Sequence, residues 1–162
     1  MWIALVRNQY KDECHILQWH CDGGGEYITT KFIEKLEKMG IISIQSAPHT
    51  PQQQGRAERF NRTIMDKAES MRHHASLPPS WWEFAVDHAV YVYNRTPMRR
   101  INWKTPYELI NGQKPDIKYL RVLGCAAWVW LPEAKRLNKL SPKSELMIFL
   151  GFDTNVKGFK FM

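Results

Sequence analysis

The chain has 162 residues, of which 44% are hydrophobic and 24% charged, and this mixture is typical of a globular protein and excludes a disordered one. Its formal net charge of +7 favours a polyanionic partner, nucleic acid first, and no apolar run approaches the ~18 residues of a membrane span. The three cysteines form no Cys-x-x-Cys pair and predict a reducing, intracellular environment.

The first 45 residues predict two short strands separated by a helix, after the end of a helix at residues 2–8. Residues 14–21 alternate as a strand does, and the strand ends in Asp22 and three glycines, which allow a tight turn. Thr29 or Thr30 can cap a helix that extends to about Met39, where Gly40 ends it. Residues 41–45 then predict the second strand.

The middle of the chain predicts two long helices. Prolines keep residues 46–54 in a loop, and a helix follows from about residue 55 to 74. Glu58 lies roughly 120° from the centre of its apolar stripe and therefore off the core face. A second helix, residues 78–95, has a wide apolar face, so its aromatic side chains are expected in the core rather than stacked on bases. The stripe of the first helix consists of Ala57, Phe60, Ile64, Ala68 and Met71.

The last part of the chain predicts a small β module. A short helix at residues 107–110 precedes a change of periodicity near Val122. Residues 125–131 and 146–152 predict strands, and Gly158 predicts a turn. Two basic stretches, residues 95–104 and 135–143, contain no acid, and each is either a phosphate-binding patch or a set of solvated cations.

Two carboxylates stand where a metal site could form, because Asp22 ends a strand and Glu58 begins a helix. Two-metal phosphoryl transfer needs carboxylates that converge on Mg²⁺ or Mn²⁺ ions. Position alone leaves other interpretations open. Glu58 could form a surface ion pair with Arg62 one turn later, and Asp22 could be a turn or cap residue.

The residues around both carboxylates resemble motifs of copia-type retrotransposon integrases. Residues 22–27, Asp-Gly-Gly-Gly-Glu-Tyr, resemble the family's Asp-Asn-Gly-Gly-Glu-Tyr. Residues 46–63 resemble Pro-x-Thr-Pro-Gln-Gln-Asn-Gly-x-Ala-Glu-Arg-x-Asn-Arg-Thr, with Gln54 in place of the Asn before Gly55. Further matching motifs follow in order at residues 77–78, 81–82, 93–97, 105–108, 112–115, 123–125 and 139–152.

The resemblance implies an α/β fold, an incomplete ribonuclease-H-like integrase core whose first strands are missing, with a small C-terminal β-rich SH3-like segment. It places a partial core at residues 1–112 and the connecting segment with the SH3-like module at residues 113–162. Such cores use three metal-binding acids, of which Asp22 resembles the second and Glu58 the third. Asp12 is too close to Asp22 to be the first and is expected to be a solvated turn residue.

The implied function is DNA integration, a metal-dependent strand transfer with Mg or Mn held by Asp22 and Glu58. Without the first acid the chain is expected to be inactive as an enzyme on its own. The resemblance also implies retroelement and target DNA as partners, homo-oligomers and a nuclear location, with no membrane partner. The candidate nucleic-acid-binding residues are His49, Gln53, Arg56, Arg59, Arg62 and Lys67.

Two other functional classes stay open. The chain could be a non-catalytic nucleic-acid-binding remnant or domesticated protein, or a translation product without a stable fold. A zinc site is a weaker hypothesis than strand packing, because neighbours on one strand point to opposite faces. The residues of that hypothesis are Cys14, His15, His20 and Cys21.

Overall fold

The computed structural model describes Ile3 and residues 16–21, 29–45, 55–153 and 158–162, with the exception of the Arg56 side chain. The chain forms two compact units, Met1–Phe60 and Asn61–Met162. The predicted boundary at residue 112 stays a prediction about domain organisation. No helix in the described ranges is long and apolar enough to cross a lipid bilayer.

The described part of the first unit contains a parallel pair of strands joined through a helix. The elements are β1 (Gln18–Cys21), α1 (Thr30–Lys38) and β2 (Ile42–Gln45), in the order that the sequence predicts. Strands β1 and β2 are parallel, with Gln18 opposite Ile42. Parallel neighbours need a crossover connection, and α1 lies within it. Gly40 has φ +69, a left-handed conformation that suits glycine at a helix end.

The core of the first unit is small. Ile3, Leu36 and Ile41 are its buried residues, and four half-buried side chains pack against them. The Trp19 and Phe32 rings meet edge to face with their centroids 5.6 Å apart, which joins β1 to α1. Those four side chains are Ile16, Trp19, Phe32 and Met39.

Helix α2, Gly55–His74, has the predicted bounds and passes through the boundary between the two units. Ile64 and Ala68 are buried in the core of the second unit, as their helical spacing predicts. Ala57 and Phe60, the first two members of the predicted stripe, are exposed. The stripe is therefore a core contact only over the later turns of α2.

Two further helices follow in the second unit. A 3₁₀ turn at Pro79–Trp81 leads into α3, Trp82–Asn94, whose Ala85, His88 and Ala89 are buried. Helix α4, Pro106–Asn111, begins at Thr105, and the Thr105 hydroxyl accepts a hydrogen bond from the Glu108 backbone N–H at 3.0 Å. That bond satisfies one of the free amides of the first helical turn.

A three-stranded antiparallel sheet completes the second unit, in the order β3 (Ala126–Trp130), β4 (Ser144–Asp153) and β5 (Gly158–Phe161). The first two strands were predicted, but residues 158–161 form a strand where only a turn at Gly158 was expected. Gly158 is a local turn signal, and the pairing of residues 158–161 with β4 is a contact that the local sequence does not indicate. An irregularity between Phe149 and Gly151 shifts the register of β4 against β5.

The β sheet and the helices of the second unit share one core. Leu150 of β4 and Leu123 belong to the same buried cluster as Ile64, Ala68 and Ala89. Phe149 and Phe152 extend this core toward α3, where both rings contact His88. The sheet is therefore packed on the helices that precede it rather than standing alone.

Candidate metal and nucleic-acid site

Glu58 lies in the first turn of α2 with its side chain exposed. A negative charge is favourable there, because the free N–H groups of a helix N-terminus carry partial positive charge. No ion pair joins Glu58 to Arg62 or to any other residue of the described ranges. The surface ion pair that offered the simplest alternative role for Glu58 is therefore not formed.

Asp22, His49 and Gln53 lie outside the described residues, as does the side chain of Arg56. The convergence of Asp22 and Glu58 on one metal site stays a prediction. Strand β1, Gln18–Cys21, precedes Asp22 in the sequence. Within the ranges described, no three His, Cys, Asp or Glu side chains cluster in a way that would hold a metal ion.

Three of the predicted DNA contacts are described on α2. The Arg59 side chain Nε donates a hydrogen bond to the Gly55 backbone oxygen at 2.6 Å, so its guanidinium points back toward the start of the helix. Arg62 and Lys67 are exposed. Arg59 and Arg62 lie about 60° apart around the helix axis, so both can face one phosphate backbone.

The zinc hypothesis involves two described residues, His20 and Cys21. His20 is exposed and Cys21 is buried, as expected for neighbours that point to opposite faces of β1. Cys14 and His15 lie outside the described residues.

Arg95, which belongs to the first basic stretch, is part of an aromatic cluster rather than a free cation. Its guanidinium carbon lies 3.4 Å from the Tyr91 ring centroid and 4.9 Å from that of Tyr107. Burial and a hydrogen bond to the Tyr119 hydroxyl, 3.2 Å away, raise the pKa of Tyr91 to about 12, although the Arg95 charge opposes this shift. Arg95 is therefore enclosed by aromatic rings, whereas Arg99 and Lys104 of the same stretch are exposed.

A cavity of about 240 Å³ opens between α3 and β4. Asp87 and Lys160 form an ion pair across it with an N–O distance of 4.0 Å. Asp87 is the one carboxylate among its lining residues, and its charge is already balanced by Lys160. The cavity therefore lacks the converging carboxylates that two-metal chemistry needs.

The sequence did not single out the exposed aromatic residues of β3. Trp128 and Trp130 are both exposed on the same face of the sheet. Alternation along the strand predicts that they share a face, but alternation cannot tell which face is covered by the helices.

Comparison with known proteins gives concordant matches. The retroviral polymerase SH3-like domain family matches residues 125–162. The Retrovirus-related Pol polyprotein from transposon RE2 of Arabidopsis thaliana is 34% identical over 149 residues, 92% of this chain and 10% of that protein. The Retrovirus-related Pol polyprotein from transposon TNT 1-94 of Nicotiana tabacum is 37% identical over 139 residues, 86% of this chain and 10% of that protein.

A solved structure shares the fold. A chain in the structure of a simian T-cell lymphotropic virus intasome with the PP2A regulatory subunit B56 gamma aligns over 99% of this chain and 59% of its own length. The TM-score is 0.53 and the sequence identity is 13%. The predicted fold class, a ribonuclease-H-like integrase core followed by an SH3-like β segment, is confirmed. The chain spans about a tenth of the length of these two Pol polyproteins.

Proposed function

Because the chain is an integrase-related segment of the copia-type retrotransposon Pol polyproteins, we propose that it serves DNA integration, with Asp22 and Glu58 as metal ligands and α2 as a DNA-binding helix. One observation carries the proposal. Glu58 presents an exposed carboxylate without an ion-pair partner among the described residues, on the same helix as exposed arginine and lysine side chains.

The donor set fits a hard divalent cation. Mg²⁺ and Mn²⁺ take oxygen ligands, and Asp22 and Glu58 both supply carboxylates. When bound, such an ion would polarise the phosphate and assist the attack of a hydroxyl group on phosphorus. Glu58 would hold its share of the ion from the first turn of α2, where a negative charge is favourable.

The cations of α2 would hold the DNA. Arg59, Arg62 and Lys67 can contact backbone phosphates, which carry charge but no sequence information. Binding through them would be independent of sequence and would weaken steeply with salt. We extend the predicted contacts of His49, Gln53 and Arg56 to this same surface, because they precede or lie within the start of α2.

The 162 residues contain two of the three acids that the resemblance implies. We therefore expect the 162-residue polypeptide itself to bind DNA without transferring strands. A longer polypeptide that supplies a third carboxylate would restore the site. A nuclear location and assembly into homo-oligomers belong to the same proposal.

A test of the metal site compares two glutamates in matched positions. Glu58 and Glu83 are both exposed and both lie in the first turn of a helix, but only Glu58 has a predicted metal role. Mn²⁺ titration followed by electron paramagnetic resonance should show Glu58→Gln weakening Mn²⁺ binding at least about tenfold, with Glu83→Gln unchanged. Equal affinity in both variants would contradict the metal role.

Strand transfer is tested on labelled DNA ends with Mn²⁺. We expect no product from the 162-residue chain. Product that disappears in Glu58→Gln but persists in Glu83→Gln would show that the two carboxylates suffice and would overturn the expectation of inactivity.

The alternative function is nucleic-acid binding without catalysis. It requires only the exposed cations Arg62 and Lys67 and no metal site. Filter binding of duplex DNA across a salt series separates it from an inert product. Replacing both residues by glutamine should lower the salt slope by about 1.8, which corresponds to two lost phosphate contacts. Replacing the exposed Lys114 and Lys118 by glutamine is the matched control and should leave the slope unchanged. If Glu58→Gln binds DNA like the parent chain and binds Mn²⁺ equally well, the non-catalytic function is preferred.

A further inference from the structure

One face of the three-stranded sheet is apolar and exposed. The register places Trp128 of β3 opposite Leu146 of β4, and both side chains are exposed. Ile148 and Met162 exchange two backbone hydrogen bonds of 2.7 and 3.0 Å, so their side chains also lie side by side on one face. We call this surface the outer sheet face, formed by Trp128, Trp130, Leu146, Ile148 and Met162.

The loop between β3 and β4 presents two further apolar residues. Leu137 and Leu140 are each 97% exposed. The loop is nevertheless held in place, because Leu140 N–H donates to the Asn138 side-chain oxygen at 2.9 Å and Ser141 N–H donates to the Asn138 backbone oxygen at 3.2 Å. Two nearly fully exposed leucines on a hydrogen-bonded loop point to a surface that contacts another molecule.

Arg136 connects this loop to the outer sheet face. Its guanidinium carbon lies 5.0 Å from the Trp130 ring centroid, and its side-chain nitrogens donate to the Leu131 backbone oxygen at 2.9 and 2.7 Å. The base of the loop is closed by a 2.8 Å hydrogen bond from Leu131 N–H to the Lys143 backbone oxygen. Arg136 therefore places the start of the loop that carries the exposed leucines beside the exposed Trp130.

The charge of the loop indicates the chemistry of the partner. Residues 134–143 contain four cations and no acid. A second copy of this chain would bring the same cations, on a molecule with a net charge of +7, against them. A nucleic acid would pair with the cations and could stack on the tryptophans, but it would offer nothing to the aliphatic side chains. The four cations are Lys135, Arg136, Lys139 and Lys143.

We propose that the outer sheet face and the loop at residues 135–143 form the docking surface for an acidic segment of a partner protein that carries large apolar side chains between its carboxylates. The apolar side chains of that segment cover Trp128, Leu146 and the exposed leucines, and its carboxylates face Lys139 and Lys143. Apolar contacts supply affinity, and the charges select this partner over neutral ones. The inference is independent of the metal site.

The test uses a fluorescein-labelled peptide of twelve residues in which Leu and Phe alternate with Asp and Glu. Fluorescence anisotropy should show saturable binding to the full chain at about 1–100 µM. Trp128 and Trp103 are matched, 72% and 70% exposed, but only Trp128 belongs to the surface. Trp128→Ser should weaken binding at least about tenfold and Trp103→Ser less than about twofold. Lys139→Glu should weaken it as well.

Two control peptides separate the contribution of the charges from that of the apolar side chains. One has Asn and Gln in place of the acids, and the other has Ser in place of Leu and Phe. Both should bind at least about tenfold more weakly. Circular dichroism checks the fold of each variant, and Leu140→Ser replaces Trp128→Ser if the latter unfolds, since Leu140 makes almost no contacts.

Three outcomes would overturn the proposal. The first is no saturable peptide binding below about 1 mM. The second is equal binding of the acidic and neutral peptides, together with single-stranded DNA binding that Trp128→Ser abolishes, which would make the surface a base-stacking platform. The third is concentration-dependent dimerisation in sedimentation velocity that Trp128→Ser abolishes, which would make the occupant a second copy.

Discussion

The two compact units of the chain differ in the size of their buried core clusters and in whether they contain the proposed metal ligands. The unit Met1–Phe60 contains both proposed metal ligands, and its described part has a buried core cluster of three residues, whereas Asn61–Met162 has a cluster of seven. The larger core is shared by two helices and a sheet, and an aromatic cluster around His88 extends it. A carboxylate that binds a metal has to be accessible, and Glu58 is exposed at the start of α2.

The largest effects on stability should come from substitutions in the two cores, and each substitution should affect only its own unit. Leu150→Ala removes a side chain that is buried among α2, α3 and β4, at an expected cost of about 2–5 kcal/mol. Leu36→Ala is the matched change in the smaller core. Hydrogen exchange followed by mass spectrometry should show faster exchange of α3 and β4 in Leu150→Ala, and of α1 in Leu36→Ala. If either variant accelerates exchange equally in both units, the chain unfolds as one cooperative body, and the two units are not independent in stability.

A pair of glycines measures how tightly the larger core is packed. A Cβ on Gly124, which has φ +80, would clash with the Ala75 Cβ, whereas a Cβ on Gly112, at φ +70, would meet nothing within 4 Å. Both alanine substitutions incur the left-handed strain of about 1–2 kcal/mol, and Gly124→Ala should lose a further ~1–3 kcal/mol to overpacking. Urea unfolding gives both values. Equal losses of unfolding free energy in the two variants would mean that the backbone at Ala75 can shift to accommodate the added methyl group without a loss of stability.

Most of the secondary structure could be predicted from the sequence, because helix periodicity, prolines and glycines are local signals. Helix α2 has its predicted bounds, and Gly40 ends a helix as expected. Strand β5 was missed, since Gly158 locally favours a turn and the partner of the strand lies on β4. The packing of the sheet on α3 through Leu150 is a long-range contact with no local signature.

The candidate site was predicted by motif resemblance rather than by physics alone. Sequence periodicity correctly placed Glu58 off the core face, and the structure adds that it has no ion-pair partner among the described residues. Arg95 shows the opposite case, because a basic stretch suggested a phosphate contact and the side chain instead stacks on Tyr91. Charge counts along a sequence cannot tell a solvated cation from one enclosed by aromatic rings.

Acid should weaken the larger unit through His88. This residue is buried beside Phe149 and Phe152, and burial lowers its pKa below the usual 6.5 because the charged imidazolium is poorly solvated there. The unfolded chain therefore binds the proton more readily. Stability is fully present above pH 6.5 and is lost as the pH falls from 6.5 toward the lowered pKa, by no more than about 1.4 kcal/mol per pH unit.

The measurement compares urea midpoints at about pH 7.5 and 5.5. His88→Leu should remove part of the pH dependence, and the exposed His74→Gln should not. An unchanged pH dependence in His88→Leu would assign the acid sensitivity to other groups.

The smallest effect on stability should come from Glu58→Gln, the variant with the largest proposed effect on metal binding. Glu58 is exposed and without an ion-pair partner among the described residues, so its removal leaves no cavity and no unpaired buried charge. The loss of a negative charge at the start of α2 should cost only about 0.3–1 kcal/mol, and Glu83→Gln at the start of α3 should cost the same. Urea unfolding at low salt measures both. A clear gain of stability in Glu58→Gln but not in Glu83→Gln would mean that Glu58 lies close to another carboxylate. Two carboxylates that share a metal site repel each other when no cation is bound, and neutralising one of them removes that repulsion.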